Sequence, residues 1–170
     1  MSRPNTRGII GVDIGEYGAI VAMTQSKIVA YDALIDTRGL RRWRGIMSER
    51  GAVARCADLG VSNYRVLIEE QGQSKQLASA AAAVGGGFLA YGFEVEFIAP
   101  VTWQKLFMKR GTDKGGKHKP YHVEIVERLG YPCPNLKPSG ASKWKHDGYA
   151  DAVMIALWGL KKYYSDDEEE

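Results

Sequence analysis

The chain has 170 residues, 45% of them hydrophobic and 25% charged, the make-up of one globular domain with a single core. Its net charge of +3 conceals an asymmetry, because the five acids of Asp166–Glu170 mask a surplus of eight positive charges over residues 1–165. No run of about 18 apolar residues offers a membrane span, and Met1 to Arg7 lacks the apolar core of a secretion signal.

Gly8 to Ile14 reads as the first strand, an apolar run of Ile9, Ile10 and Val12 that carries one carboxylate, Asp13. Asp is depleted from strands, and a buried charge is costly unless paired or bound to metal. Gly15 to Gly18 is a turn, Ala19 to Met23 the second strand and Lys27 to Leu34 the third, so the chain opens with an antiparallel meander. Thr37 then caps a helical stretch with Leu40, Trp43, Ile46, Met47, Val53 and Ala57 at a period near 3.6. Its arginines, Arg38, Arg41, Arg42, Arg44 and Arg50, form a solvated face, with phosphate contact as the second reading.

Tyr64 to Glu69 is strand four and again ends in carboxylates, Glu69 and Glu70. Leu77 to Tyr91 is an alanine-rich helix carrying Gly85, Gly86 and Gly87 in its middle, where each glycine costs about 1 kcal/mol relative to alanine. Close approach of another backbone explains that cost, with packing and DNA contact as equal alternatives. Phe93 to Ala99 is strand five, Thr102 caps a helix from Trp103 to Met108, and Gly111 to Lys119 is a basic, glycine-rich loop. Tyr121 to Leu129 and Lys143 to Tyr164 are the last helices. The order predicts an α/β fold with a five-stranded mixed sheet flanked by helices, residues 1–165 forming the domain and 166–170 an acidic tail.

Asp147 and Asp151 are four apart on the final helix and so share a face, where like charges cost a few tenths of a kcal/mol. Lys143 and Lys145 offset them in part, which is the purely structural account. Alternatively a divalent cation neutralises them together with Asp13 and Glu69. Cys56 and Cys133 suit a reducing compartment and, with His118, His122 and His146, make no zinc set, so hard oxygen donors point to Mg²⁺ or Mn²⁺. Four such carboxylates suit a two-metal site for phosphodiester hydrolysis, with ions roughly 3.5–4 Å apart. Between Val101 and Lys145, ten Lys or Arg face three acids, a surplus that suits a polyanionic partner as well as it suits a solvated surface.

Gly11-Val12-Asp13-Ile14-Gly15, Ile68-Glu69 and Asp151 to Ala156 together resemble the RuvC-type Holliday junction resolvases of the ribonuclease H-like superfamily. Gly85 to Phe107, and Lys145 to Ala152 (KHDGYADA), are similar to the phage and chloroplast branch, and the likeness runs from Gly8 to about Gly159. The resemblance implies a ribonuclease H-like fold and a homodimer that cuts four-way junction DNA symmetrically with Mg²⁺, in the cytoplasm of a bacterial or phage-infected cell. Asp13, Glu69 and Asp151 would be metal ligands, with Asp147 or His146 as the fourth and Glu70 the alternative to Glu69. The four-residue spacing departs from the bacterial pattern, where the last two acids are three apart. His146 is otherwise a proton-transfer group or a surface residue. No aromatic follows Glu69, where Gln71 and Gly72 stand, so Phe88 or Tyr91 is the candidate wedge at the junction centre. Lys105, Lys109, Arg110, Lys114, Lys117 and Lys119 would hold phosphates beside Gly85 to Gly87, and the alanine-rich helix would form the dimer surface unless it packs within one subunit. The alternatives are a nuclease for other branched DNA or RNA–DNA hybrids, and a catalytically silent binding module. An actin- or sugar-kinase-type ATPase is disfavoured, because 170 residues do not supply two duplicated domains.

Overall fold

The computed structural model of the chain describes residues 7–15, 17–25, 27–35, 63–72, 74–107, 118–134 and 147–165. The strands among them are β1 (Ile9–Asp13), β2 (Tyr17–Met23), β3 (Ile28–Ile35), β4 (Arg65–Glu69) and β5 (Glu94–Ile98). They form one sheet in the order β3-β2-β1-β4-β5. β1, β2 and β3 are the expected antiparallel meander, while β4 runs parallel to β1 and β5 parallel to β4. The sheet is therefore mixed, as the order of elements implied.

β1 is central and hydrogen-bonded on both edges, which accounts for its nearly continuous apolar run. Ile10, Val12, Ile20, Ala22, Val66 and Ile68 face one side, where α1 (Lys75–Ala90) covers them with Ala81, Val84 and Phe88. On the other side Ile9, Val21, Met23 and Leu67 meet α4 (Asp147–Tyr164), joined by Trp103 of α2 (Pro100–Phe107) and by Val123 and Val126 of α3 (His118–Arg128). Helices thus cover both faces of the sheet. No helix among the described residues is long and apolar enough to cross a membrane.

Several boundaries differ from expectation. α1 starts at Lys75 because Ser74 caps it, its hydroxyl accepting from the Leu77 N–H. α2 starts at Pro100, two residues before Thr102, since proline suits a first helical position where its missing N–H would have no partner. α3 likewise begins at His118, because Pro120 is tolerated in a first turn. α4 is described from Asp147, and the stretch 143–146 lies outside the described residues. So do the helix expected after Thr37 and the tail at 166–170.

The triple glycine of α1 divides by environment. A methyl on Gly85 would sit 2.9 Å from the Phe97 ring and 3.4 Å from Ile68, so this glycine lets the helix lie against the sheet. Gly86 faces open space.

Candidate functional site

The pleat decides which carboxylates meet. Ile9 belongs to the core under α4, and Ile10 and Val12 to the core under α1. Alternation therefore turns Asp13 toward the α4 side, along with Ile9 and Gly11. On β4, Leu67 faces α4 while Val66 and Ile68 face α1, which puts Glu69 on the α4 side as well. The two strands are parallel neighbours with Val12 opposite Ile68, so Asp13 and Glu69 are next in register at the same strand ends. Neighbouring strands lie about 4.8 Å apart. Glu70, one residue on, is exposed, and its N–H donates to the Ile98 carbonyl.

α4 crosses this face antiparallel to β1. Gly159 lies over Leu67 and Ile9, and Gly11 lies beneath Ala152 and Ala156. Gly11 is needed for the contact, because a methyl there would meet the Ala152 carbonyl at 2.1 Å, while one on Gly159 would press on the Leu67 side chain at 2.4 Å. From Gly11 to Asp13 the strand advances ~6.6 Å, or about four residues of helix at ~1.5 Å each. Asp13 is accordingly level with α4 near residue 150, between Asp147 and Asp151. Asp147 is buried in the first turn of α4, where the helix dipole favours a negative charge, and Asp151 is half-buried.

Two further side chains enter from α2 and α3. The Trp103 indole Nε1–H donates to Glu69 Oε2 at 2.8 Å. His122 Nδ1 lies 2.5 Å from Asp151 Oδ1. An ionised carboxylate only accepts, so the proton of that bond sits on the imidazole. The two rings meet edge-on, 5.9 Å between centroids at 72°. Trp103 is 0% and His122 4% exposed. A buried chain of contacts, Glu69–Trp103–His122–Asp151, therefore joins β4 to α4. Beside it Tyr149 is buried against Tyr31, 5.2 Å between ring centroids. Burial, helped by Cys133 and Tyr31, pushes the Tyr149 hydroxyl up to about 12, so it stays protonated at neutral pH.

The donor set suits a hard cation: carboxylate oxygens dominate, and the buried thiol of Cys133 belongs to the apolar core. Among the described residues, however, no three His, Cys, Asp or Glu side chains are arranged to hold a metal ion. The acids share a face and an end of the sheet without forming a ready cage.

No protein-family model and no curated protein matches the chain. Solved structures do. Thermus thermophilus RuvC in complex with a Holliday junction substrate aligns with a TM-score of 0.59 at 14% identity, covering 92% of this chain and 96% of that one. The crystal structure of the fowlpox virus Holliday junction resolvase aligns with a TM-score of 0.54 at 19% identity, covering 91% and 98%. The fowlpox virus resolvase with substrate Holliday junction DNA aligns at 0.52 and 21% identity, covering 91% and 99%. The fold is ribonuclease H-like.

On this ribonuclease H-like frame the remaining sequence candidates fall in different places. Phe88 is corrected: it is 0% exposed and packs edge-on against Phe93 at 5.2 Å, so it is a core residue and unavailable as a wedge. The inward stripe of α1 runs through Ala81, Val84, Gly85 and Phe88, a helical spacing that turns Phe88 to the sheet. Tyr91, the other candidate, is 53% exposed just past the end of that helix. Gly85 packs inward, Gly86 opens outward and Gly87 is half-buried. Lys105 is exposed on α2, two residues beyond Trp103, and Lys119 lies in the first turn of α3. Lys109, Arg110, Lys114, Lys117 and His146 lie outside the described residues. Trp103 and His122 were not among the sequence candidates. The one signal for them was the neighbouring apolar pattern, since Val123 and Val126 turn that side of α3 to the core.

Proposed function

We propose that this chain is a structure-selective DNA endonuclease that resolves four-way junctions by divalent-metal-assisted hydrolysis of phosphodiester bonds. One observation carries the reading. Asp13 and Glu69 end adjacent parallel strands on the face where the first turns of α4 bring Asp147 and Asp151. The alignment with two resolvases, both also known with junction DNA or substrate, supports it. The motif likeness to the phage and chloroplast branch supports a bacterial or phage-infected cytoplasm as the setting. The unit that acts is residues 1–165, trailed by the acidic 166–170.

Asp13, Glu69, Asp151 and either Asp147 or His146 would hold the Mg²⁺ ions, and Mn²⁺ should substitute. When bound, a pair of such ions supplies an activated water and stabilises the leaving oxygen. The carboxylates by themselves would repel a phosphate, so cutting should depend strictly on the cation. Lys105, Lys109, Arg110, Lys114, Lys117 and Lys119 would grip DNA phosphates, which positions the substrate without reading its sequence and makes binding fall steeply with salt. A two-fold homodimer would match the junction's approximate two-fold symmetry and give paired nicks.

A second reading is a catalytically silent binding module. One assay separates the readings. Labelled four-way junction, flap, RNA–DNA hybrid and linear duplex are incubated with the chain and Mg²⁺. Symmetric paired nicks in the junction are expected. Asp13→Asn should cut roughly a hundred- to a thousandfold more slowly while still binding the junction. Cleavage of the hybrid or flap in preference to the junction would redirect the substrate assignment, and no nicking of any substrate would leave the silent module.

A further inference from the structure

We infer that Trp103 and His122 are positioning residues of the carboxylate centre: they clamp Glu69 and Asp151 by one N–H each and so set its affinity for a divalent cation. This rests on the metal-centre reading above. Both donors come from elements that contribute no carboxylate, and both are buried. The indole N–H holds Glu69 at 2.8 Å and the imidazole Nδ1–H holds Asp151 at 2.5 Å. Their rings touch edge-on at 5.9 Å. Two stiff aromatic groups, in place of flexible chains, therefore link the β4 acid to the α4 acid.

The choice of residue at 122 argues for a role beyond filling space. His122 Nε2 is buried and has no hydrogen-bond partner among the described residues. A phenylalanine would fill a core site without a buried polar atom left over. What histidine adds is the bond to Asp151. A carboxylate has two oxygens and about four lone-pair sites, so an N–H on one oxygen is compatible with a cation on the other. Groups that orient metal-binding side chains in this way typically change metal affinity or activity by roughly ten- to a hundredfold when removed.

The test is Mn²⁺ binding to the full chain without DNA, followed by electron paramagnetic resonance. Trp103→Phe and His122→Phe should each weaken binding by roughly ten- to a hundredfold. His122→Asn, whose amide N–H can stand near the place of Nδ1–H, should recover much of the loss. On the unaltered protein, Mg²⁺ should shift the Trp103 indole N–H resonance and leave that of Trp158 in place. Wild-type Mn²⁺ affinity in both phenylalanine variants, with binding lost in Asp13→Asn, would overturn the clamp and leave the metal centre standing. Unaltered binding in Asp13→Asn would remove the centre and the clamp together. If the phenylalanine variants fail to fold, an unmoved Trp103 resonance at saturating Mg²⁺ overturns the inference by itself.

Discussion

The two ends of α4 lie over the same face of the sheet, and the contacts that hold a carboxylate there are of different kinds. At the C-terminal end, Glu96 of β5 accepts from the Tyr163 hydroxyl and from Lys162 Nζ at 3.1 Å. Arg65 lies 3.7 Å from Glu96 and 2.6 Å from Glu94, with its guanidinium 4.3 Å over the Tyr163 ring. Burial pushes the Glu96 carboxyl up, but the bonds from Tyr163 and Lys162 and the charges of Lys162 and Arg65 outweigh it and hold it below its ordinary value. At the N-terminal end, Glu69 takes an indole N–H. Such a donor orients a carboxylate without cancelling its charge. A carboxylate met by the chain's own cations is committed to holding the fold together. The indole N–H on Glu69 instead fixes where one of its oxygens lies.

The middle of α4 is where this contrast can be broken most severely. Gly11→Ala would drive a methyl to 2.1 Å from the Ala152 carbonyl and 2.9 Å from the Ala156 nitrogen, so the helix must lift. Overpacking of this kind costs about 1–3 kcal/mol, readable in urea melts. Cleavage should fall further than the folded fraction does, because the lift separates Asp147 and Asp151 from Asp13 and Glu69. A variant that cut in proportion to its folded fraction would mean the seating of α4 does not align the acids.

The opposite layer supplies a smaller and contrary effect. Gly86 faces open space on α1, so Gly86→Ala should gain about 0.5–1 kcal/mol of helix stability with cleavage unchanged. A fall in junction affinity in this more stable variant would instead mark Gly86 as a contact for DNA or for a second copy. Gly85→Ala is not equivalent, because its methyl would press on the Phe97 ring.

Period and placement made much of this legible in the sequence. Two apolar runs that end in carboxylates and the four-residue step on α4 were enough to single out Asp13, Glu69 or Glu70, Asp147 and Asp151. The five-stranded mixed sheet followed from the order of elements. Phe88 was misread because three glycines before it resembled a surface feature, whereas the helical stripe through Ala81, Val84 and Phe88 points inward. Trp103 and His122 were out of reach for a different reason. Their contacts span 34 and 29 residues of sequence, and nothing local reports how α2 and α3 settle against α4. Between Glu69 and Glu70 the sequence left a choice that only strand register could narrow: Glu69 shares the face of Asp13.

The smallest expected effect tests whether the two ends are independent. The folded chain lowers the pKa of Glu96, so this group adds stability at pH values above its unfolded value and loses it as pH falls through the lowered one. Glu96→Gln should therefore cost the modest stability of a partly exposed ion pair, about 0.2–1 kcal/mol, and lower the melting temperature at neutral pH accordingly. The gap between variant and wild type should close in acid, as both carry an uncharged side chain there. Thermal melts at neutral and strongly acid pH read this directly. Junction cleavage at neutral pH should be unaltered, because Glu96 acts near Tyr163 and the candidate centre lies at the other end of the helix, near Asp147. A loss of cleavage as large as that of Asp13→Asn would show that the clasp at Glu96 also holds the acids in place, and the two ends would not be independent.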